Sequence, residues 1–112
     1  MIQVHIHRTK QGIQAFRMTG HAGYAEHGKD LVCAGASAVA VGTVNALEAV
    51  CGISAEEHTE MESGFLRYSL PTLSGEAAVK AQALLEGMLV SLQTIETVYG
   101  DFIQIHQKMQ EV

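Results

Sequence analysis

Two side chains in one short stretch have the types that nucleophilic chemistry needs, a histidine and, twelve positions on, a cysteine. The segment reads Gly20-His21-Ala22-Gly23-Tyr24-Ala25-Glu26-His27-Gly28-Lys29-Asp30-Leu31-Val32-Cys33. If Asp30 caps a helix, Cys33 is its third residue. Backbone N–H groups there lack intrahelical partners and favour negative charge. They would favour a thiolate and could also stabilise an oxyanion. An imidazole has the intrinsic pKa to take a thiol proton near neutral pH. His21 and Cys33 therefore form a minimal base and nucleophile. The bland alternative is that Cys33 is a small buried filler and His21 a solvated loop residue.

Two further residues bear on this pair. Asp30 either caps the helix, using one or two of its free N–H groups, or turns to orient His21 as a third catalytic member would. Its charge disfavours a second anion nearby. Ser37 lies four residues past Cys33, on the same helical face. It either donates to the sulfur or bonds the Cys33 carbonyl. Gly20, Gly23 and Gly28 predict a loop able to cover Cys33 until substrate displaces it.

The elements that must hold these groups follow from periodicity. Ile2, Val4 and Ile6 alternate with polar residues, and Ile13 to Thr19 resumes an extended pattern after the turn-like Thr9-Lys10-Gln11-Gly12. This reads as a β-hairpin. A helix is predicted over 31–51, from Asp30 to a stop at Gly52. It is rich in alanine and thin on several sides. Glu56 to Met61 and Phe65 to Leu70 flank Ser63-Gly64 and predict a second hairpin. A second long helix, over 76–99, carries an apolar stripe through Ala77, Ala81, Leu85, Met88 and Leu92. A last strand covers 102–107. The order β-β-α-β-β-α-β predicts an α+β two-layer sandwich, a mostly antiparallel five-stranded sheet backed by two helices. The chain, 1–112, is read as one domain.

Composition narrows the classes of function. The net charge is −5, with seven basic residues scattered along the chain. No basic stripe appears in the linear order, so direct nucleic-acid contact is not expected. No secretory signal is visible, and no apolar run is read as approaching membrane length, so the expected compartment is the cytoplasm. Cys33 and Cys51 would lie about 27 Å apart on one helix and stay free thiols. His5, His7, His21, His27 and Cys33 include zinc-ligand types, but no metal-binding motif links them. No metal and no cofactor are expected. Glu56, Glu57, Glu60 and Glu62 make the second hairpin acidic, a solvated face or an attraction for a basic partner. Tyr24, Phe65 and Tyr68 are candidates to line an aromatic pocket.

The Gly20-His21-Ala22 triplet and the run Asp30-Leu31-Val32-Cys33-Ala34-Gly35-Ala36-Ser37-Ala38 resemble the Prp (YsxB-like) family of bacterial ribosomal-processing cysteine proteases. The resemblance covers essentially the whole chain. It implies a thiol protease that removes the N-terminal extension of a large-subunit ribosomal protein precursor, the twenty-seventh in the conventional count. Cleavage would follow an aromatic residue. It implies a nucleophile at Cys33, a base at His21, supporting roles for Asp30 and Ser37, a mobile loop at about 22–29 and a homodimer. Leu31 and Gly35 depart from the family's commoner isoleucine and alanine without removing a reactive group. The alternative function is a non-catalytic binding module that accompanies ribosome assembly.

Overall fold

Alternating apolar residues build the first layer. The computed structural model describes residues 1–26 and 30–110. Strand β1 (Ile2–Thr9) and strand β2 (Gly12–Thr19) pair antiparallel. They turn Ile2, Val4, Ile6, Ile13, Phe16 and Met18 towards the helices. Gly12 is required at their turn. Its φ is +112°, and a Cβ there would lie 2.3 Å from Oε1 of Gln82. That amide clamps the strand from the opposite layer. Its Oε1 accepts from the Ile13 N–H and its Nε2 donates to the Ile13 carbonyl, both at 2.8 Å.

Helix α1 (Leu31–Cys51) runs between the predicted stops, with Asp30 as N-cap and Gly52 as C-cap at φ 72°. Its buried stripe is Val32, Ala36, Ala40, Val44 and Leu47. By length and composition alone α1 is long and apolar enough to cross a membrane. This corrects the sequence expectation that no apolar run approaches that length. Its buried stripe joins the core shared with the sheet and the second long helix. Gly35 faces that second long helix, and a Cβ built on it would sit in ordinary contact, 3.7 Å, with Ile95 Cδ1.

The next segment differs from the expected hairpin at its start. Ala55–His58 forms a short helix, α2, before strand β3 (Thr59–Glu62) and strand β4 (Phe65–Ser69). The Ser54 hydroxyl accepts from the Glu57 N–H at 3.3 Å, and Glu56 and Glu57 occupy the first turn. Capping and favourable charge at the N-terminus outweigh strand preference over those four residues. Helix α3 (Gly75–Tyr99) then buries Ala81, Leu85, Met88, Leu89 and Leu92. Strand β5 (Ile103–Met109) closes the sheet beside β1.

The sheet order is β3-β4-β2-β1-β5. Three of its pairings are antiparallel, as expected, but β5 lies parallel to β1. A long helix between β4 and β5 makes that direction accessible, since a parallel neighbour needs a crossover. The helices cover one face only. The sheet therefore separates a helix side, where the core sits, from an open side.

Tyr68 is fully buried, stacked on Phe16 with centroids 5.6 Å apart, and among the described residues its hydroxyl has no hydrogen-bond partner. Burial first, then nearby Cys51, pushes its pKa up to about 12. The folded state holds this proton more tightly than the unfolded chain. Stability from this group is therefore full below the ordinary tyrosine value of about 10 and is lost as pH rises through the folded value. Tyr68→Phe should lie within about 1 kcal/mol of wild type at neutral pH. In urea titrations between about pH 9 and 11.5 it should lose less stability than wild type.

Candidate active site

Asp30 is where the loop meets the helix. Its backbone is extended, with φ −82° and ψ 109°, and its carboxylate is buried. Oδ1 accepts from the N–H groups of Val32 and Cys33, both at 3.0 Å. Oδ2 accepts from the Tyr24 N–H at 2.9 Å. Both oxygens are thus committed to backbone donors, which places Asp30 as a cap. Burial pushes its carboxyl up. The N–H groups of Cys33, Tyr24 and Ala25, with the Cys33 side chain, outweigh that and hold it below the usual carboxylate range.

This corrects the expectation that unpaired amides at the helix start face the sulfur. The Val32 and Cys33 amides are already taken by Asp30. The N–H that meets Cys33 comes from the loop instead, where Ala22 donates to Sγ at 3.1 Å. Ala22 is buried although its neighbours His21 and Gly23 are exposed. Its methyl anchors the loop while its amide reaches the sulfur. Cys33 itself is half-buried and free, as is Cys51.

His21 follows Gly20 at the end of β2. Gly20 has φ +87° and donates its N–H to the Gly64 carbonyl at 2.8 Å. The imidazole lies against Gly64 in the turn between β3 and β4. A Cβ on Gly64 would come within 2.8 Å of His21 Nε2. The turn at Ser63-Gly64 thus serves as a floor for the ring, a role the sequence reading missed. The signal in the sequence was the Ser63-Gly64 turn pair, and the structure gives Gly64 a φ of +71°.

One cavity of about 530 Å³ gathers these groups. It is bordered by Cys33, His21, Asp30, Ser37, Gly20 and Gly23, all from the sequence-derived set. Gly28 and His27 lie outside the described residues. Cys33, Ser37 and Val41 fall at four-residue intervals along α1 and form one wall. Ser37 is exposed, and among the described residues it forms neither hydrogen bond weighed for it. The opposite wall is the β3–β4 hairpin, with Met61, Phe65 and Leu66. Of the three aromatic candidates only Phe65 borders the cavity. Tyr24 packs edge-on against Tyr99 and Phe102, at 5.6 and 5.2 Å, and Tyr68 is core. The described zinc-ligand types, His5, His7, His21 and Cys33, are divided between two hollows. His5 and His7 border a separate hollow with His106, away from Cys33 and His21.

A half-buried thiol, a loop amide on its sulfur and an imidazole thus border one cleft on an α+β sandwich. The family model for cysteine protease Prp matches residues 1–104, and the chain belongs to that family of hydrolases. It is 47% identical over 107 residues to the ribosomal processing cysteine protease Prp of Bacillus subtilis, covering 94% of this chain and 96% of that one. It is 42% identical over 95 residues to the Staphylococcus aureus protein of the same name, covering 81% and 83%. An essential ribosomal processing protease Prp from S. aureus, solved with a covalently linked product peptide, superposes with a TM-score of 0.82. Identity there is 34%, over 96% of this chain and all of that one. A crystal structure from Streptococcus mutans gives 0.81 at 29% identity, covering 98% and 96%.

The Asp30 carboxyl, held low by its donors, contributes stability above its unfolded value of about 3.9. That contribution is lost as pH falls through the lower folded value. Urea midpoints measured from about pH 6 down to 3 should fall less steeply for Asp30→Asn than for wild type. At neutral pH the same variant should be the less stable of the two.

Proposed function

We propose that the protein, over 1–112, is a one-domain cysteine endopeptidase with Cys33 as nucleophile and His21 as general base. Its substrate in this reading is the precursor of the twenty-seventh large-subunit ribosomal protein. Cleavage removes the N-terminal extension after an aromatic residue. The observation that carries the reading is the shared cleft, with thiol, imidazole and apolar walls of Met61, Phe65 and Leu66 around one volume. Relatives solved with a substrate peptide and with a covalently linked product peptide support it.

His21 takes the thiol proton as the Cys33 sulfur attacks the scissile carbonyl carbon. A carbon–sulfur bond forms and the carbonyl oxygen becomes an oxyanion. Its donor is a loop amide, with Ala22 the nearest to the sulfur, because Asp30 occupies the helix amides. The carbon–nitrogen bond then breaks, and His21 protonates the leaving amine. Water, deprotonated by His21, hydrolyses the thioester and returns the thiol. Asp30 and Ser37 support the site without entering the bond changes. The segment after β2, whose Ala22 amide meets the sulfur, shifts to admit substrate, with the positive-φ Gly20 and Gly23 as its pivots. The acidic β3 residue Glu62, which borders the cleft, suits a basic precursor. The reading includes a cytoplasmic homodimer, supported by the exposed Val79, Val90 and Val98 along α3.

Incubation with the extended ribosomal protein and mass analysis of the products tests the whole reading. A single cut after an aromatic residue is the expected result. Cys33→Ala should abolish the cut while retaining binding of the extension peptide. His21→Ala should lower kcat/KM by at least about a hundredfold without unfolding the domain. Binding without any cut by wild type would instead favour the non-catalytic module.

A further inference from the structure

The open face of the sheet carries chemistry that the proposed protease does not use. Strand register aligns its outward side chains in rows. One row takes a residue from every strand, namely Glu60, Arg67, Arg17, His5 and His106. The adjoining row runs Ser69, Ala15, His7 and Lys108. Glu60 is committed to Arg67 through an ion pair. The cross-strand neighbours of Arg17 and Lys108 are not acidic, and both side chains are exposed. A chain of net charge −5 therefore sets on one face cations that, among the described residues, have no acidic cross-strand neighbour. Sequence order hides this, because Arg17, Arg67 and Lys108 are far apart in the chain. The linear order shows no basic stripe, whereas strand register brings these three residues to one face.

The same face presents flat rings. The imidazoles of His5 and His106 stack, with centroids 4.9 Å apart and planes 21° from parallel. Gln3 fixes the outer ring, its Oε1 lying 2.6 Å from His106 Nε2. Burial first, then Arg17 and His106, lowers the His5 pKa, so that ring serves as a neutral π surface near pH 7. His5, His106, Arg17 and Lys108 border a shallow hollow of about 620 Å³.

We propose that this open sheet face binds single-stranded RNA, with Arg17 and Lys108 on phosphates and the His5–His106 stack beneath a base. Cations that track a backbone, beside rings that accept any base face, are the two parts single-strand binding requires. A duplex keeps its base faces inside its own stack and would leave the rings unused. An acidic peptide would meet the cations but gain nothing from the stack. Gln104 and Ser69, exposed on the same side, offer groups for a ribose 2′-hydroxyl.

The test is fluorescence anisotropy of the full protein with a labelled oligo(U) of about 12 nucleotides at about 50 mM KCl. Saturable binding that weakens with salt is expected. Arg17→Gln with Lys108→Gln should weaken it about tenfold or more and flatten the log K against log salt slope by about 1.4, at 0.7 per lost phosphate contact. His106→Ala should weaken it about tenfold through the lost stack. Lys80→Gln, the same charge change on α3, should leave it within about twofold. Thermal melts confirm that each variant is folded, and His106→Ala alone decides the matter if the double variant is not. No saturable binding by wild type overturns the proposal. So does binding that Lys80→Gln weakens as much as the open-face variants. Tighter binding of an oligoglutamate of equal charge, lost in the same variants, would overturn it in favour of an acidic peptide.

Discussion

The structure turns on one buried carboxylate. Asp30 gathers N–H donors from the first turn of α1 and from the loop after β2. The two segments that carry the thiol and the imidazole are tied at that point. The cost of burying a charge is offset because the donors are backbone groups that would otherwise lack partners at a helix start. Once those helix amides are used, the sulfur must find its donor elsewhere, and Ala22 supplies it. The position of the loop over Cys33 thus follows from the cap.

The hairpin of β3 and β4 completes the cleft from the other side. It stands at one end of the sheet order, so its turn reaches the end of β2 without a further strand intervening. Gly64 gives the His21 ring its place, and its carbonyl binds the Gly20 N–H. The apolar wall of Met61, Phe65 and Leu66 belongs to the β3–β4 hairpin and Cys33 to the start of α1, with the rest of that helix between them in sequence. Coverage by helices on one side leaves the sheet's other side to carry a separate set of charges and rings. The two surfaces share strands but no side chains, because neighbours along a strand alternate in direction.

Much of this was legible in residue order. The alternation in β1 and β2, the Asp30 and Gly52 stops of α1 and the stripe of α3 each reflect a local rule of period or capping. The pairing of His21 with Cys33 was readable as a spacing, and the structure brings both to one cavity. The reading failed where local preferences competed. Glu56 to His58 looked extended, but Ser54 capped them into a turn of helix. It also failed where a side chain's partner was distant. Tyr68 looked like a pocket aromatic and is core, because β4 lies between two strands and its inward residues join the buried cluster.

The sequence by itself determined the two long helices, the five strands, their order and the kinds of chemistry available, since periodicity, caps and residue types act over a few positions. Only the tertiary structure decided which donor reaches the sulfur, which turn supports the imidazole, and that Arg17, Arg67, His5 and His106 stand in one row. The reason is that such contacts depend on strand register and layer packing. These join residues up to a hundred positions apart, and no local pattern encodes their distances.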